Sequence, residues 1–376
     1  MENNDSTVNK HNVIVVGAGA AGIGVAIVLQ ELGMEYVVLE KNEIGSSFKQ
    51  WPAESRFISP SFIGNFFNMP DLNSITPETS PAFNLQTEHP TGKEFATYLE
   101  MIVEEYEVNI ETGITVNSIQ KTGDSFVLDT NEGTYESKYV IWAAGEFQYP
   151  QKGSFEGDEL CTHFSEIDTF SDLKGDERII VGAYESGFDT AINLVRLNKK
   201  VTIIDSDNYV ELVNSDSSYS LSPYTRDRLR NIYDKLSYHK ETRVEKVEYI
   251  DDEYIVTTDS NKQLRSKHKP INCTGFATSI SLISDLFEHS DGYPLINEFD
   301  ESIKTDNLFL VGPQVKHENA LFCFIYKYRQ RFAIVAEEIA GRENISSEVV
   351  DGIIGAYQMQ NFYLDDLSCC DNECVC

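Results

Sequence analysis

The sequence predicts an α/β protein with two Rossmann-like dinucleotide-binding domains, the second inserted in the first. Two stretches carry this prediction. "VIVVGAGAAGIGVAIVLQELGMEYVVLE" (13–40) joins an apolar run, a glycine turn, a segment of helical spacing, a second apolar run and an acid. "IIVGAYESGFDTAINLVRLNKKVTIID" (179–205) repeats this order and aligns without a gap. The order strand, glycine turn, helix, strand and acid is the dinucleotide-binding fingerprint.

The first stretch carries the full glycine motif, "GAGAAG". Gly17 is expected to make the tight turn, Gly19 to let the backbone approach a pyrophosphate, and Gly22 to let helix and strand pack closely. The N–H groups at the start of the helix attract phosphate, and Glu40 stands where a carboxylate would accept hydrogen bonds from ribose hydroxyls. The predicted cofactor-binding residues here are Gly17, Gly19, Ala20, Ala21, Gly22, Glu40 and Lys41.

The second stretch differs from the first at the middle glycine of the motif, where it has Tyr184 instead. One interpretation is a second nucleotide held by N–H groups of the following helix; the other is a Rossmann-like domain that has lost its ligand. A carboxylate at Asp205 suits two ribose hydroxyls and repels a 2′-phosphate, which favours NADH over NADPH. The predicted binding residues are Gly182, Glu185, Ser186, Gly187 and Asp205.

Two further segments indicate where the chain passes between the domains. "YVIWAAGEFQYP" (139–150) and "KPINCTGF" (269–276) each read as a buried strand followed by a glycine turn. We therefore predict a discontinuous first dinucleotide-binding domain over 1–150 and 270–364, an inserted second one over 151–269, and a cysteine-rich tail over 365–376.

The composition argues against some classes of binding partner. The chain has 376 residues and a formal net charge of −31, whereas a nucleic-acid partner needs a basic footprint. No apolar run is long enough to span a membrane, and "MENNDSTVNK" lacks the apolar region of a signal peptide. We expect a cytoplasmic protein with a small-molecule substrate and without nucleic-acid or membrane partners. A homodimer is left open.

These segments together resemble the flavin-containing monooxygenase-like branch of the two-dinucleotide-binding-domain flavoproteins, which include the pyridine nucleotide-disulfide oxidoreductases. The resemblance covers nearly the whole chain and rests on the first glycine motif, "GSSFKQWP", "AAGEFQYP", the second glycine motif, "CTGF" and "LFLVGP". It implies FAD in the first site and NADH or NADPH in the second, so that an NAD(P)-binding domain (151–269) is inserted in an FAD-binding domain (1–150 and 270–364). It also implies flavin-side contacts at Ser47, Trp51, Val116, Ala144, Gly145, Gly312 and Pro313.

The resemblance implies an NAD(P)H-using oxidoreductase, and we expect a monooxygenase that uses O₂ on a small soft nucleophile such as a sulfur, an amine or a ketone. No side chain is assigned as catalytic, because the cofactor carries the hard chemistry. Two departures weaken the monooxygenase assignment. Pro313 stands where many relatives have an aspartate, and the FxGxxxHxxx(Y/F) identifier occurs only loosely, as "FEGDELCTHFSEI".

The alternative is a thiol/disulfide reductase, a metal-ion reductase or a redox accessory flavoprotein. The usual cysteine pairs are missing from "KNEIGSSFKQW" and from 162–272, but the chain ends in "SCCDNECVC". Thiolates at this density suit a soft metal ion or thiol–disulfide exchange. No firm metal site is predicted, and the candidates are Cys369, Cys370, Cys374 and Cys376. Cys323 is expected in the core, and His317 is a candidate for the flavin side.

Overall fold

The computed structural model of the chain describes residues 8–63, 69–214 and 216–368. Its helices are α1 (Ala20–Glu31), α2 (Ser46–Lys49), α3 (Pro81–Leu85), α4 (Gly92–Tyr106), α5 (Glu185–Arg196), α6 (Pro223–Arg230), α7 (Ile325–Tyr328), α8 (Phe332–Arg342) and α9 (Ser347–Met359). Its strands are β1 (Asn9–Val16), β2 (Tyr36–Glu40), β3 (Ile110–Thr112), β4 (Val116–Thr122), β5 (Ser125–Thr130), β6 (Gly133–Trp142), β7 (Thr162–His163), β8 (Glu177–Val181), β9 (Lys200–Ile204), β10 (Leu236–His239), β11 (Val244–Ile250), β12 (Glu253–Thr258), β13 (Gln263–Ser266), β14 (Ile271–Asn272), β15 (His289–Ser290), β16 (Tyr293–Pro294), β17 (Leu308–Leu310), β18 (Lys316–His317) and β19 (Ala320–Leu321).

The first glycine motif lies in a sheet whose parallel part has the order β3-β2-β1-β6-β17. Residues 13–16 of β1 and 36–39 of β2 are buried apolar runs, as expected for strands of a parallel sheet. The hairpin β4–β5 adds antiparallel strands along the first half of β6. Since β17 pairs with the second half of β6, a segment far downstream in the chain completes this sheet.

The second glycine motif lies in a separate parallel sheet with the order β10-β9-β8-β14-β7. A three-stranded antiparallel sheet, β11-β12-β13, follows it in the chain. The strand, turn, helix and strand of each motif therefore occupy the same places in two similar units. This repetition confirms the predicted fold class.

The hydrophobic cores show the insertion directly. One core combines buried residues from 13–143 with buried residues from 280–362. Two other cores draw their buried residues from 161–273. The two crossing segments lie side by side, since the N–H of Gln151 donates to the carbonyl of Gly275 at 3.1 Å and Ala277 pairs back to Tyr149 at 2.6 Å. The exact domain limits given above remain a prediction.

Helix α1 is buried on nearly every side, from Ala20 to Leu29. Its small residues allow close packing on α8, because a Cβ placed at Gly24 would stand 2.1 Å from the Phe332 ring. The tight packing fixes the start of α1 against the sheet, which is where the first glycine motif presents its N–H groups. Within the described residues, no helix has the length and apolar character needed to cross a membrane.

Candidate active site

A cleft of about 440 Å³ runs between the two glycine motifs. The first motif and the end of β6 form one side of it, and the start of α5 forms another. Among the predicted site residues, those that line this nucleotide cleft are Gly17, Gly19, Ala20, Ala21, Glu40, Ser47, Trp51, Ala144, Gly145, Pro313, Glu185 and Ser186.

The glycines of the first motif have distinct roles. Gly17 has φ +106°, and a Cβ there would meet the Ala143 carbonyl oxygen at 2.7 Å. A Cβ at Gly22 would stand 1.9 Å from the Gly17 carbonyl oxygen, so both positions serve the close packing of turn, strand and helix. At Gly19, the residue before α1, a Cβ would meet no atom within 4 Å. The space beside Gly19 is therefore open to a ligand rather than filled by protein.

Glu40 lies at the end of β2 and faces the cleft. Its carboxylate accepts hydrogen bonds from the Ala18 N–H at 2.7 Å and the Asn42 N–H at 2.8 Å. These bonds fix the carboxylate next to the glycine turn. Ser47, in the short helix α2, accepts a bond from Gln148 Nε2 at 3.2 Å at the same end of the cleft.

One side of the cleft is aromatic. Trp51 packs on Phe57 at 5.0 Å between ring centroids and approaches Phe147 at 6.4 Å. Phe147 in turn contacts Phe276 at 5.1 Å across the two crossing segments. Flat apolar side chains of this kind suit a planar ring and restrict water.

These features fit FAD. The open space at Gly19, the N–H groups at the start of α1 and the fixed Glu40 match the pyrophosphate and ribose of an ADP half. The aromatic wall lines the same cleft. The cleft therefore has the backbone donors and the carboxylate that suit the ADP half of FAD, and the apolar wall that suits its ring system.

The second glycine motif repeats the packing of the first. A Cβ at Gly182 would meet the Cys273 carbonyl oxygen at 2.6 Å, and one at Gly187 would meet the Gly182 carbonyl oxygen at 2.2 Å. Tyr184 has φ 97° and ψ −160°, a combination that is essentially restricted to glycine. Its hydroxyl donates to the carbonyls of Ser218 and Ser220 at 3.0 and 3.1 Å, which helps to hold the strained backbone.

The acids of the second motif are engaged within their own domain. Asp205 is fully buried and lies outside the cleft lining. Its carboxylate accepts bonds from the Asp207 N–H at 3.0 Å, the Tyr209 N–H at 2.9 Å and the Tyr238 hydroxyl. Glu185 does line the cleft, and its carboxylate accepts bonds from Ser222 and Thr225 at the start of α6. Burial raises the pKa of Glu185 above its ordinary value.

Several predicted site residues lie outside the cleft lining. Gly22, Gly182 and Gly187 support the turns from behind, as their packing distances show. Gly312 has φ +108° and abuts Ala21, so it brings the end of β17 close to α1. Lys41 is exposed, and Val116 begins the edge hairpin. The tail residues Cys369, Cys370, Cys374 and Cys376 lie outside the described residues.

Two expectations about single residues were wrong. Cys323 was expected in the core, but it is exposed and lines the cleft just before α7, because the chain there leaves the β18–β19 hairpin and has not yet entered the helix. His317 was a candidate for the flavin side, but its Nε2 pairs with the fully buried Asp300 at 2.6 Å. Arg331 completes this buried group at 2.9 Å from Asp300.

Glu146 was not among the residues predicted from the sequence. It follows Gly145 at the end of β6 and lines the cleft. Burial raises its pKa to about 7. Its only signal in the sequence is its place directly after a predicted flavin-side glycine.

The comparison with known proteins agrees with this architecture. A family model described as pyridine nucleotide-disulphide oxidoreductase matches residues 14–312. The bacilliredoxin reductase Bdr of Bacillus subtilis (strain 168) is 23% identical over 344 residues, which cover 89% of this chain and 99% of that protein.

Two solved structures share the fold. The bacillithiol disulfide reductase Bdr of Staphylococcus aureus has a TM-score of 0.72 at 17% identity, over 89% of this chain and all (100%) of the other. An ornithine N-hydroxylase from Kutzneria sp. 744, solved with reduced FAD, NADP⁺ and L-ornithine, has a TM-score of 0.69 at 17% identity, over 89% and 100%. The fold is thus shared by a disulfide reductase and by a hydroxylase.

The family match spans most of the chain, and the cleft has the cradle that FAD requires. The expected resemblance to two-domain flavoproteins and the expected oxidoreductase activity are both confirmed, with FAD and NAD(P)H as the cofactors. The chain is an FAD-dependent oxidoreductase and belongs to the pyridine nucleotide-disulphide oxidoreductase family.

Proposed function

We propose that this protein is an NAD(P)H-dependent reductase of a disulfide substrate, with Cys323 as the thiol that meets the substrate. The observation that carries the proposal is the position of Cys323. Cys323 is exposed to the cleft that both glycine motifs line, and desolvation there raises the pKa of its thiol above the ordinary value. Cys161 and Cys273 are buried, so among the described residues Cys323 is the cysteine that a substrate could reach.

The surroundings of Cys323 support a functional thiol. Its Sγ donates to Ser218 Oγ at 3.2 Å, across the boundary between the two domains. Lys327 donates to the same Ser218 oxygen at 2.7 Å and pairs with Asp216. The segment that carries Ser218 is therefore fixed over the cleft beside the thiol, and it also accepts the Tyr184 hydroxyl from the second glycine motif.

The reaction proposed for this site balances in two steps. The Cys323 sulfur attacks the substrate disulfide, a mixed disulfide forms, and the first thiol leaves. The mixed disulfide is then cleaved by two electrons and protons, which releases the second thiol and restores the Cys323 thiol. FAD, when bound, supplies those two electrons after taking them from NAD(P)H. The sum is one disulfide, one NAD(P)H and one proton giving two thiols and NAD(P)⁺.

The relatives support this reading over their full length. The Bacillus subtilis protein, named a bacilliredoxin reductase, aligns with 89% of this chain. The Staphylococcus aureus structure is named a bacillithiol disulfide reductase. We accordingly propose a low-molecular-weight or protein disulfide as the substrate class.

A monooxygenase that uses O₂ on a small soft nucleophile is the second candidate. The aromatic wall of Trp51, Phe57, Phe147 and Phe276 favours it, because such a wall excludes water from an oxygen-dependent reaction. The reductase remains our first proposal, since an oxygenase of this type needs no thiol in the cleft.

We also propose NADH rather than NADPH as the preferred donor. Asp205 and Asp207 close the second motif, and their negative charge disfavours a 2′-phosphate nearby. Asp205 is held inside its own loop, so this preference would act through charge rather than through direct hydrogen bonds. Parallel rates of flavin reduction by NADH and NADPH test it, and faster reduction by NADPH would overturn it.

A Cys323→Ser variant tests the reductase proposal by separating the two half-reactions. Reduction of the flavin by NADH should proceed at the parent rate, because the thiol has no part in it. Reoxidation of the reduced flavin by a disulfide should fall to background. Disulfide turnover that survives in the variant would contradict the proposed role of Cys323. Reoxidation by O₂ together with oxygenation of an amine or sulfide would favour the second candidate.

A further inference from the structure

Tyr184 and Gly19 occupy the same place in the two glycine motifs. Each directly precedes its helix, and each carbonyl accepts the first helical hydrogen bond, from the Ile23 N–H at 3.0 Å in α1 and from the Phe188 N–H at 2.9 Å in α5. Their ψ angles are also similar, −171° at Gly19 and −160° at Tyr184. Because ψ fixes where a Cβ stands relative to the helix that follows, the Cβ of Tyr184 points where a Cβ at Gly19 would point.

That direction leads into ligand space in the first motif. A Cβ at Gly19 would meet no atom within 4 Å, and this open space borders the N–H groups of α1 that suit a pyrophosphate. At α5 the corresponding space contains the Tyr184 side chain, which is half-buried and lines the cleft. The second motif, as it stands, therefore does not fit a dinucleotide bound in the manner of the first.

Side-chain contacts hold the Tyr184 ring in this position. The ring packs on Tyr209 with a centroid distance of 4.7 Å, and the hydroxyl donates to the carbonyls of Ser218 and Ser220 at 3.0 and 3.1 Å. The backbone φ of 97° is one that a residue with a side chain keeps only when its surroundings hold it there. The ring is therefore held over the start of α5 by contacts that rotation of the side chain would break.

The two carbonyls that hold the ring belong to a segment (216–220) that the first domain fixes. Ser218 Oγ donates to the Leu321 carbonyl at 3.2 Å, and the Tyr219 hydroxyl donates to the Asn319 carbonyl at 3.0 Å. Because the segment is tied to a second domain, it does not follow the ring freely. The ring can leave the start of α5 only by giving up both of its hydrogen bonds to this segment.

We propose that Tyr184 is a gate of the second nucleotide site. In the closed state, which the structure shows, its side chain takes the place of the pyrophosphate at the start of α5. NAD(P)H binds when the side chain turns away, which uncovers the N–H groups of α5 while the Tyr184 main chain stays in the helix start. The measured affinity is then the intrinsic affinity reduced by the fraction of open protein. The gate concerns nucleotide binding and does not rest on the disulfide substrate.

Calorimetric titration of the FAD-loaded, full-length protein with NAD⁺ and with NADP⁺ tests the gate without turnover. Tyr184→Gly should bind the preferred nucleotide at least about tenfold more tightly than the parent, because no side chain then covers the helix start. Tyr184→Phe keeps the ring but loses both hydroxyl bonds, so its gain should be smaller, about two- to tenfold. Tyr249→Phe removes an exposed hydroxyl of the inserted domain outside the cleft and should match the parent.

Tighter binding separates a gate from a structural residue, whose loss would weaken binding or leave it unchanged. Equal or weaker binding in Tyr184→Gly would overturn the proposal, and so would the absence of binding in both parent and variant. If the glycine variant loses its flavin, Tyr184→Phe decides: parent affinity or weaker binding in a folded, flavin-containing phenylalanine variant also overturns the gate. Tighter binding in a protein whose reduced flavin no disulfide reoxidises would leave the gate standing and remove the reductase function.

Discussion

Replacing Gly19 by alanine should remove FAD and leave the apoprotein folded. The Gly19 backbone has φ −89° and ψ −171°, which any residue adopts, and an added Cβ meets no atom within 4 Å. Alanine there should change the free energy of unfolding of the apoprotein by no more than about 1 kcal/mol. The methyl group would occupy the space through which a pyrophosphate approaches the N–H groups of α1.

The magnitude follows from the bonds at risk. Loss of one hydrogen bond to a charged phosphate oxygen costs about 1.5–3 kcal/mol, which weakens the Kd for FAD about 10- to 150-fold. The flavin content after purification and a fluorescence titration of the apoprotein measure the loss of FAD affinity. Thermal unfolding shows whether the variant remains folded. Gly19→Leu should deepen the loss.

Two matched variants interpret the result. Gly352→Ala also places its Cβ in open space, but on the exposed face of α9. It should stabilise the helix by up to about 1 kcal/mol and leave flavin binding unchanged. Gly22→Ala should instead damage the fold, because its Cβ would stand 1.9 Å from a backbone oxygen. Full flavin occupancy with an unchanged Kd in Gly19→Ala would refute the cradle assignment.

Three further variants test the energetics described above. Tyr184→Phe should lower the free energy of unfolding by about 1–3 kcal/mol, since the hydrogen bonds of the hydroxyl to two carbonyls are lost. Tyr184→Gly should be close to neutral, because it also removes backbone strain of about 1–3 kcal/mol. Equal losses for the two variants in urea melts would argue against the strain. Asp300→Asn leaves the fully buried Arg331 without its counter-charge and should cost about 3–5 kcal/mol in the same assay; a loss below about 1 kcal/mol would show that the triad is not needed. Glu146→Gln should raise the free energy of unfolding by about 1–3 kcal/mol near pH 8 and change it little near pH 5. The carboxyl has a pKa of about 7 in the folded state, so its ionised form costs stability as the pH rises from the lower pKa of the unfolded chain towards 7. A gain that is independent of pH would contradict this linkage.

The fold was predictable because it depends on local patterns. The apolar runs that became β1, β2, β8 and β9 and the glycine turns between them carry their periodicity in the sequence. The return of the chain to the first sheet was also visible in "LFLVGP", which forms β17. Patterns of this kind predict where strands and turns lie, because they do not depend on contacts with the rest of the chain.

The details of the site were less predictable because they depend on contacts between distant segments. Cys323 occurs in an apolar run that reads as core, and only the arrangement of the β18–β19 hairpin leaves it in the cleft. Asp205 matches the expected place of an acid, yet the loop after it and Tyr238 supply donors that turn its carboxylate inward. The raised pKa of Glu146 results from burial, which is a property of the folded chain and cannot be read from the sequence.

The central claim is that electrons pass from NAD(P)H through FAD in this cleft to a disulfide. An anaerobic mixing experiment tests it most directly: the purified flavoprotein is first reduced with NADH until the flavin colour is lost, and a disulfide is then added while thiols are counted. If the disulfide is the electron acceptor, the oxidised flavin spectrum should return with release of two thiols for each NADH consumed. A flavin that stays reduced in the presence of disulfides and recovers only on admission of O₂ would contradict it.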